Sequence, residues 1–164
     1  MDALLERARR IRLLVLDVDG VLTDGRIYLS PAGEELKVFD VRDGSGLVAL
    51  QRAGVAVAII SGRDSAAVTL RAAELGIRHV RQGVADKATE LAALMRELGV
   101  APTETACVGD DTPDLPMLQA AGLAVAVGDA HAALGPVVHW VTSAPGGRGA
   151  VREVCDLLIS ARAP

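Results

Sequence analysis

The sequence predicts an α/β chain with a doubly wound, mostly parallel sheet, and three observations carry that prediction. Short apolar or β-rich runs recur at Leu13 to Leu16, Val55 to Ile60, Thr105 to Val108, Leu123 to Val127 and His139 to Thr142, with a weaker one around Arg78 to Arg81. Helix-length segments separate most of them, which is the alternation βαβ units require. The first run is an unbroken apolar stretch fit for the middle of a sheet. With 164 residues, 51% of them hydrophobic, and a mean hydropathy of +0.34, the chain can fill one core, so residues 1–164 read as a single domain. No internal repeat, low-complexity tract or linker divides it.

Taken in order, MDALLERARRIR is charged throughout and lacks the apolar region of a secretion signal. Leu13 to Leu16 then runs into Asp17, Asp19 and Asp24, an unusual load of negative charge at the end of a buried strand. The segment 26–41, RIYLSPAGEELKVFDV, has two β-leaning runs around a Pro and a Gly, the pattern of a hairpin inserted into the αβ alternation. Protruding, it would expose Ile27, Leu29, Leu36, Val38 and Phe39, which predicts that it packs against something. From Asp86 to Leu98, apolar residues at Ala88, Leu91, Ala92, Met95 and Leu98 share one helical face, and Gly99 follows where a C-terminal cap belongs. His131 is expected to start a short helix and Trp140 to pack beside the final strand.

Composition removes several function classes. A net charge of −4 and a pI near 5.3 offer no basic surface for nucleic acid. No run reaches membrane-spanning length. The two cysteines, Cys107 and Cys155, lack metal-ligand or redox spacing and read as buried free thiols of a reducing compartment, so the protein reads as cytoplasmic.

In an open parallel sheet the ligand crevice lies beyond the carboxyl ends of the strands, so the residues just after strands are the ones to inspect. Four such junctions are polar: Asp17 to Asp19, Ser61-Gly62-Arg63, Asp86-Lys87 and Gly109-Asp110-Asp111. Residues two apart in an extended chain point the same way, so Asp17 and Asp19 can address one site while Gly20 turns the backbone away. Asp110 would add a third carboxylate, and such a cluster repels itself unless a cation neutralises it. Hard oxygen ligands in small number, with room for water and a phosphate, describe Mg²⁺. Ser61 can donate to a phosphoryl oxygen, and Lys87 can offset carboxylate and phosphoryl charge. Capping would account for the Asp17 and Asp19 pair taken alone, as it would for Ser61, and helix-start chemistry suits Asp111 and Asp114 beside Pro113. Four polar junctions together favour a phosphate site. Arg42, Arg63 and Arg148 are candidate partners for an anionic substrate.

At these residues the sequence resembles a known family. Asp17-Val18-Asp19-Gly20-Val21-Leu22-Thr23, Ser61, Lys87 and Gly109-Asp110-Asp111-Thr112-Pro113-Asp114 look like the four ordered motifs of the haloacid dehalogenase (HAD) superfamily of phosphatases. GEELKVFDVRDGSGL at 33–47, IISGRDS at 59–65, VGDAHA at 127–132 and GGRGAVREVCDLL at 146–158 look like its small capless branch acting on 3-deoxy-D-manno-octulosonate 8-phosphate (KDO 8-phosphate). The resemblance runs from about Ile11 to Leu158. It implies a Rossmann-like, HAD-like sheet without a separate cap domain. It implies Asp17 as nucleophile, Asp19 as general acid and base, Ser61 and Lys87 as the phosphoryl-binding pair, and Mg²⁺ held by the Asp17 and Asp110 side chains and the Asp19 backbone carbonyl. Asp111 and Asp114 take accessory acidic positions. It further implies a homotetramer whose hairpins and neighbouring subunits close the crevice, and a place in lipopolysaccharide precursor synthesis. The chain ends at SARAP soon after its last helix, so a tail reaching a neighbour's site is expected to be brief or missing. Alternatives are a phosphatase of KDN or sialic acid 9-phosphate, a broad phosphomonoesterase, and a receiver-like phospho-Asp signalling module. Motif order disfavours the last, since a receiver accepts phosphate at a later strand and has no use for Asp19.

Overall fold

The computed structural model describes residues 2–162. The last two residues of SARAP therefore lie outside the described residues. After α1 (Asp2–Arg10) come β1 (Leu13–Leu16), the short β2 (Tyr28–Leu29) and β3 (Glu35–Leu36), α2 (Val41–Arg52), β4 (Ala56–Ile60), α3 (Ala66–Glu74) and β5 (His79–Arg81). Then follow α4 (Lys87–Leu98), β6 (Thr105–Gly109), α5 (Leu115–Ala120), β7 (Leu123–Ala126), β8 (Trp140–Val141) and α6 (Ala150–Ser160). Six strands form one parallel sheet in the order β5-β4-β1-β6-β7-β8, and β2 and β3 form a separate antiparallel pair. This is the doubly wound sheet with a small hairpin that the alternation predicted.

Side chains of β1 divide between the two faces of the sheet, as a period of two requires. Leu14 and Leu16 join Leu47, Leu50, Val68, Val151, Val154 and Leu158, from α2, α3 and α6. Leu13 and Val15 join Leu91, Leu94, Met117 and Leu118, from α4 and α5. Each fully buried Leu is worth about 1.5–3 kcal/mol of transfer free energy, so the strand is anchored from both sides. Its neighbours are β4 and β6, so the strand order reverses at β1. Such a reversal opens a crevice at the carboxyl ends of the strands.

The helix read from Asp86 to Leu98 is α4, with Asp86 as N-cap accepting from the Ala88 and Thr89 amides and Gly99 closing it in the left-handed region at φ 62°. The segment 26–41 forms its hairpin but gives up Val41 to α2, because the Asp40 carboxylate accepts from the Arg42 and Asp43 amides and starts the helix there. Ile27, Leu29, Leu36 and Val38 are exposed, as expected. Phe39 is not. It turns inward against the core, with the Arg71 guanidinium 5.9 Å from its ring centroid. Trp140 lies within the last strand rather than beside it, and His131 caps a short 3₁₀ turn by accepting from the Ala133 amide. Cys107 and Cys155 are buried free thiols whose ionisation burial opposes, Cys155 being pushed up to about 12.

The last helix is held by a residue from another. Asp43, buried on α2, accepts from the Gly149 and Arg152 amides and so caps α6, whose own N-cap Gly149 has no side chain to do so. Gly46 allows the approach, since a Cβ there would lie 2.9 Å from Arg152 Cδ.

Candidate active site

Asp17 follows β1, its amide donating to the Val108 carbonyl at 3.2 Å, which extends the ladder one residue beyond the strand and fixes the side chain over the switch point. The chain then turns tightly: the Val18 carbonyl accepts from the Val21, Leu22 and Thr23 amides, and Thr23 Oγ1 accepts from the Gly20 and Gly25 amides. Gly20 sits at φ 93°, and a Cβ there would lie 2.0 Å from Asp110 Oδ2. Only glycine allows both the turn and the close approach of Asp110.

Lys87 is the first residue of α4, where the helix dipole disfavours a cation. Two carboxylates offset that cost: Nζ donates to Asp17 Oδ1 at 2.8 Å and to Asp114 Oδ1 at 2.6 Å, and its side chain is only 8% exposed. Asp114 spends its second oxygen on the Asp110 amide at 2.9 Å and the Asp111 amide at 3.4 Å, so it fixes the turn after β6 as well as the lysine. Its burial distinguishes it from Asp111, which is exposed and caps the 3₁₀ turn by accepting from the Thr112 amide. Ser61 is buried just after β4, with its amide on the Arg81 carbonyl and its hydroxyl accepting from the Arg63 amide at 3.4 Å, and it lines the same space.

Asp17, Asp19, Ser61, Arg63, Lys87, Asp110, Asp111 and Asp114 thus line one open crevice of about 210 Å³. Arg42 and Arg148 are not brought into it. Arg42 is paired with Asp40 at 2.9 Å, and Arg148 lines a neighbouring recess, 3.8 Å from Asp24.

Carboxylate oxygens of Asp17, Asp110 and Asp114 lie within 4.8 Å of one another, with Lys87 the cation among them. Burial, and next the Asp114 charge, push the Asp17 carboxyl upward against the pull of Lys87. Burial and the charges of Asp17 and Asp114 likewise push Asp110 up to about 8. Such a group of hard oxygen donors, short of positive charge, fits a small divalent cation, Mg²⁺ above all. The Asp19 carboxylate is not in this group. It accepts from Lys37, which also donates to Glu35 Oε1 at 2.7 Å, while Glu35 Oε2 accepts from the Arg63 guanidinium at 3.2 Å.

Lys37 and Glu35 were not among the residues the sequence marked. The signal was present in the alternation of the second hairpin arm, where Leu36 and Val38 are exposed while Glu35 and Lys37 share the opposite face.

Residues 79–152 match the haloacid dehalogenase-like hydrolase family. Over 156 residues, 95% of this chain and 83% of the relative, the sequence is 51% identical to the 3-deoxy-D-manno-octulosonate 8-phosphate phosphatase KdsC of Escherichia coli strain K12. The crystal structure of the phosphatase of that name from Yersinia pestis superposes with a TM-score of 0.97 at 49% identity, covering 98% of this chain and 87% of that one. The Moraxella catarrhalis phosphatase, solved in complex with magnesium ion, phosphate ion and KDO, gives a TM-score of 0.97 at 44% identity, covering 99% and 93%.

Proposed function

The chain belongs to the haloacid dehalogenase-like hydrolases, and on that premise we propose that it is the phosphatase that hydrolyses KDO 8-phosphate to KDO and inorganic phosphate. The observation that carries this reading is the meeting of Asp17, Lys87, Ser61 and Asp110 in one crevice at the switch point of the sheet. The relatives at 51% and 49% identity bear the name of that phosphatase, which supports the substrate.

In the first half-reaction the Asp17 carboxylate attacks phosphorus, the bond from phosphorus to the sugar oxygen breaks, and the Asp19 carboxyl gives its proton to that oxygen as KDO leaves. In the second, the Asp19 carboxylate takes a proton from water as the water oxygen attacks the phosphorus of the aspartyl-phosphate, which frees Asp17 and releases phosphate. Lys87 and the Ser61 hydroxyl bind phosphoryl oxygens. Asp114 holds Lys87 on the Asp17 side of the crevice and anchors the Asp110 amide. Asp111, an exposed cap, keeps the accessory acidic position. A magnesium ion held by the Asp17 and Asp110 side chains and the Asp19 carbonyl would supply the charge that lets an anionic nucleophile meet an anionic phosphoryl group. Arg63 is the arginine placed to meet the substrate within this chain, while Arg42 and Arg148 lie where only a neighbouring subunit or a moved loop would bring them into use.

The chain is read as one domain over residues 1–164 that assembles as a homotetramer. The outward faces of the hairpin support assembly: Ile27, Leu29, Leu36 and Val38 are 53–67% exposed, and Val41 beside them 76%. Among the described residues no helix is long and apolar enough to cross a membrane. A cytoplasmic site and a role in lipopolysaccharide precursor synthesis complete the reading.

Phosphate release from KDO 8-phosphate, KDN 9-phosphate, sialic acid 9-phosphate and hexose phosphates, with Mg²⁺ or with EDTA, tests it. Metal-dependent release with a strong preference for KDO 8-phosphate is expected, and Asp17→Asn is expected to abolish turnover in a folded protein. Equal rates across the panel would remove the substrate, and full activity in Asp17→Asn would remove the nucleophile.

A further inference from the structure

The residues lining the crevice follow strands of the parallel sheet, but Lys37, which meets Asp19 at its edge, comes from the hairpin. Glu35 and Lys37 lie on the inner face of its second arm, opposite the exposed Leu36 and Val38. The Lys37 side chain is 2% exposed, and its ammonium is shared between Asp19 Oδ1 and Glu35 Oε1. Glu35 in turn is held by Arg63, from the turn after β4. A lysine this enclosed and doubly paired is a fixed strut, unlike the solvated ends of most surface lysines. Asp19 depends on it: among the described residues Lys37 is the one hydrogen-bond partner of the Asp19 carboxylate, which is otherwise 24% exposed and free to change rotamer.

We propose that Lys37 is a positioning residue for Asp19, holding its carboxyl over the crevice and making proton transfer there depend on the placement of the hairpin. The proposal rests on the reading of Asp19 as the general acid. Lys37 itself neither gives nor takes the proton; it fixes the group that does. Because Lys37 touches neither Asp17 nor Lys87, its loss should spare the attack on phosphorus and impair departure of the sugar. This distinguishes it from a residue that merely keeps the chain folded.

Leaving-group dependence reads the difference, since kcat/KM reports steps up to the first phosphoryl transfer and leaves out the hydrolysis of the aspartyl-phosphate. The sugar oxygen of KDO 8-phosphate must be protonated as it leaves, whereas p-nitrophenolate leaves readily without a proton. General acids contribute about 10²–10⁴ in rate, so Lys37→Met is expected to lower kcat/KM for KDO 8-phosphate by roughly tenfold to a hundredfold, and for p-nitrophenyl phosphate by less than about threefold. Lys37→Arg should recover most of the loss. Adding Lys37→Met to Asp19→Asn should lower the rate no further, because the lysine acts through a group already removed. Equal losses on the two substrates with Lys37→Arg as well as Lys37→Met, or a full additional loss in the double variant, would overturn the proposal. Asp19→Asn separates the two ideas. If it discriminates between the substrates and Lys37→Met does not, only the positioning role falls; if it does not discriminate, the acid assignment falls and takes the positioning role with it.

Discussion

Replacing Lys87 by Met keeps the length of the side chain and removes the cation held among Asp17, Asp114 and Asp110. The side chains of Asp17 and Asp114 are 9% and 2% exposed, so water cannot take over the role of the ammonium. Removing one partner of such a pair costs about 3–5 kcal/mol. In a domain of this size each kcal/mol is worth about 2–4 °C, so the metal-free variant should melt roughly 6–20 °C below the parent. The sign with pH follows from the carboxyls. Asp17 is already raised by burial and by Asp114, and without Lys87 it rises further; the folded state then holds protons that the unfolded chain has released, and stability falls as pH rises. The deficit should be small near pH 4, where Asp17 is protonated, and largest near pH 8. Saturating Mg²⁺ should narrow it by restoring positive charge. Calorimetry at several pH values, with EDTA and with Mg²⁺, measures all of this, and phosphate release should show a loss of about 10²–10³ in kcat, the scale of one lost electrostatic contact to the transferring group. A metal-free melting point within about 2 °C of the parent, or a deficit equal at pH 5 and pH 8, would refute the reasoning.

Three other outcomes follow from the geometry. Gly20→Ala places a methyl group 2.0 Å from Asp110 Oδ2 at φ 93°, so it should weaken Mg²⁺ binding by more than about tenfold in isothermal titration, given the cost of about 1 kcal/mol or more for an alanine in that conformation and the displaced ligand besides. Asp43→Ala strands the Gly149 and Arg152 amides at the start of α6 and should cost about 1–3 kcal/mol in urea unfolding, with kcat much less affected than stability. Charging the exposed hairpin face with Leu29→Glu and Leu36→Glu should shift the proposed tetramer to smaller species in sedimentation, whereas an assembly unchanged from the parent would show that the hairpin is not the interface.

Much of this was legible in the sequence where a local rule sufficed. The apolar run of β1 and the capped face of α4 depend on neighbours a few residues away, and both were placed within a residue. The acidic, Ser and Lys junctions could be gathered into one site because parallel sheets collect strand ends on one side. What escaped depended on distant contacts. Phe39 looked exposed because its arm reads as β-leaning, yet the chain bends to begin α2 and presses the ring against Arg71 and the core. Asp114 read as a helix-start or accessory acid, and nothing local pointed to its ion pair with Lys87, 27 residues earlier. Lys37 was hidden by a solvated surface being the ordinary expectation for a lysine in a hairpin. The three candidate arginines were chosen by charge and by expected nearness to the crevice, and neither says which way a loop faces.

The central position of β1 also governs the order in which the protein can come into being during synthesis. Its partners are β4 and β6, whose last residues lie 44 and 93 positions beyond Leu16 in the chain. At about 5–20 residues per second, the ribosome therefore leaves an apolar four-residue strand without its second neighbour for roughly 5–20 s. Through that interval the nascent chain carries Asp17 and Asp19 without Asp110, and for the first 71 of those positions without Lys87 as well, so it can hold no working catalyst while its hydrophobic strand waits for a partner.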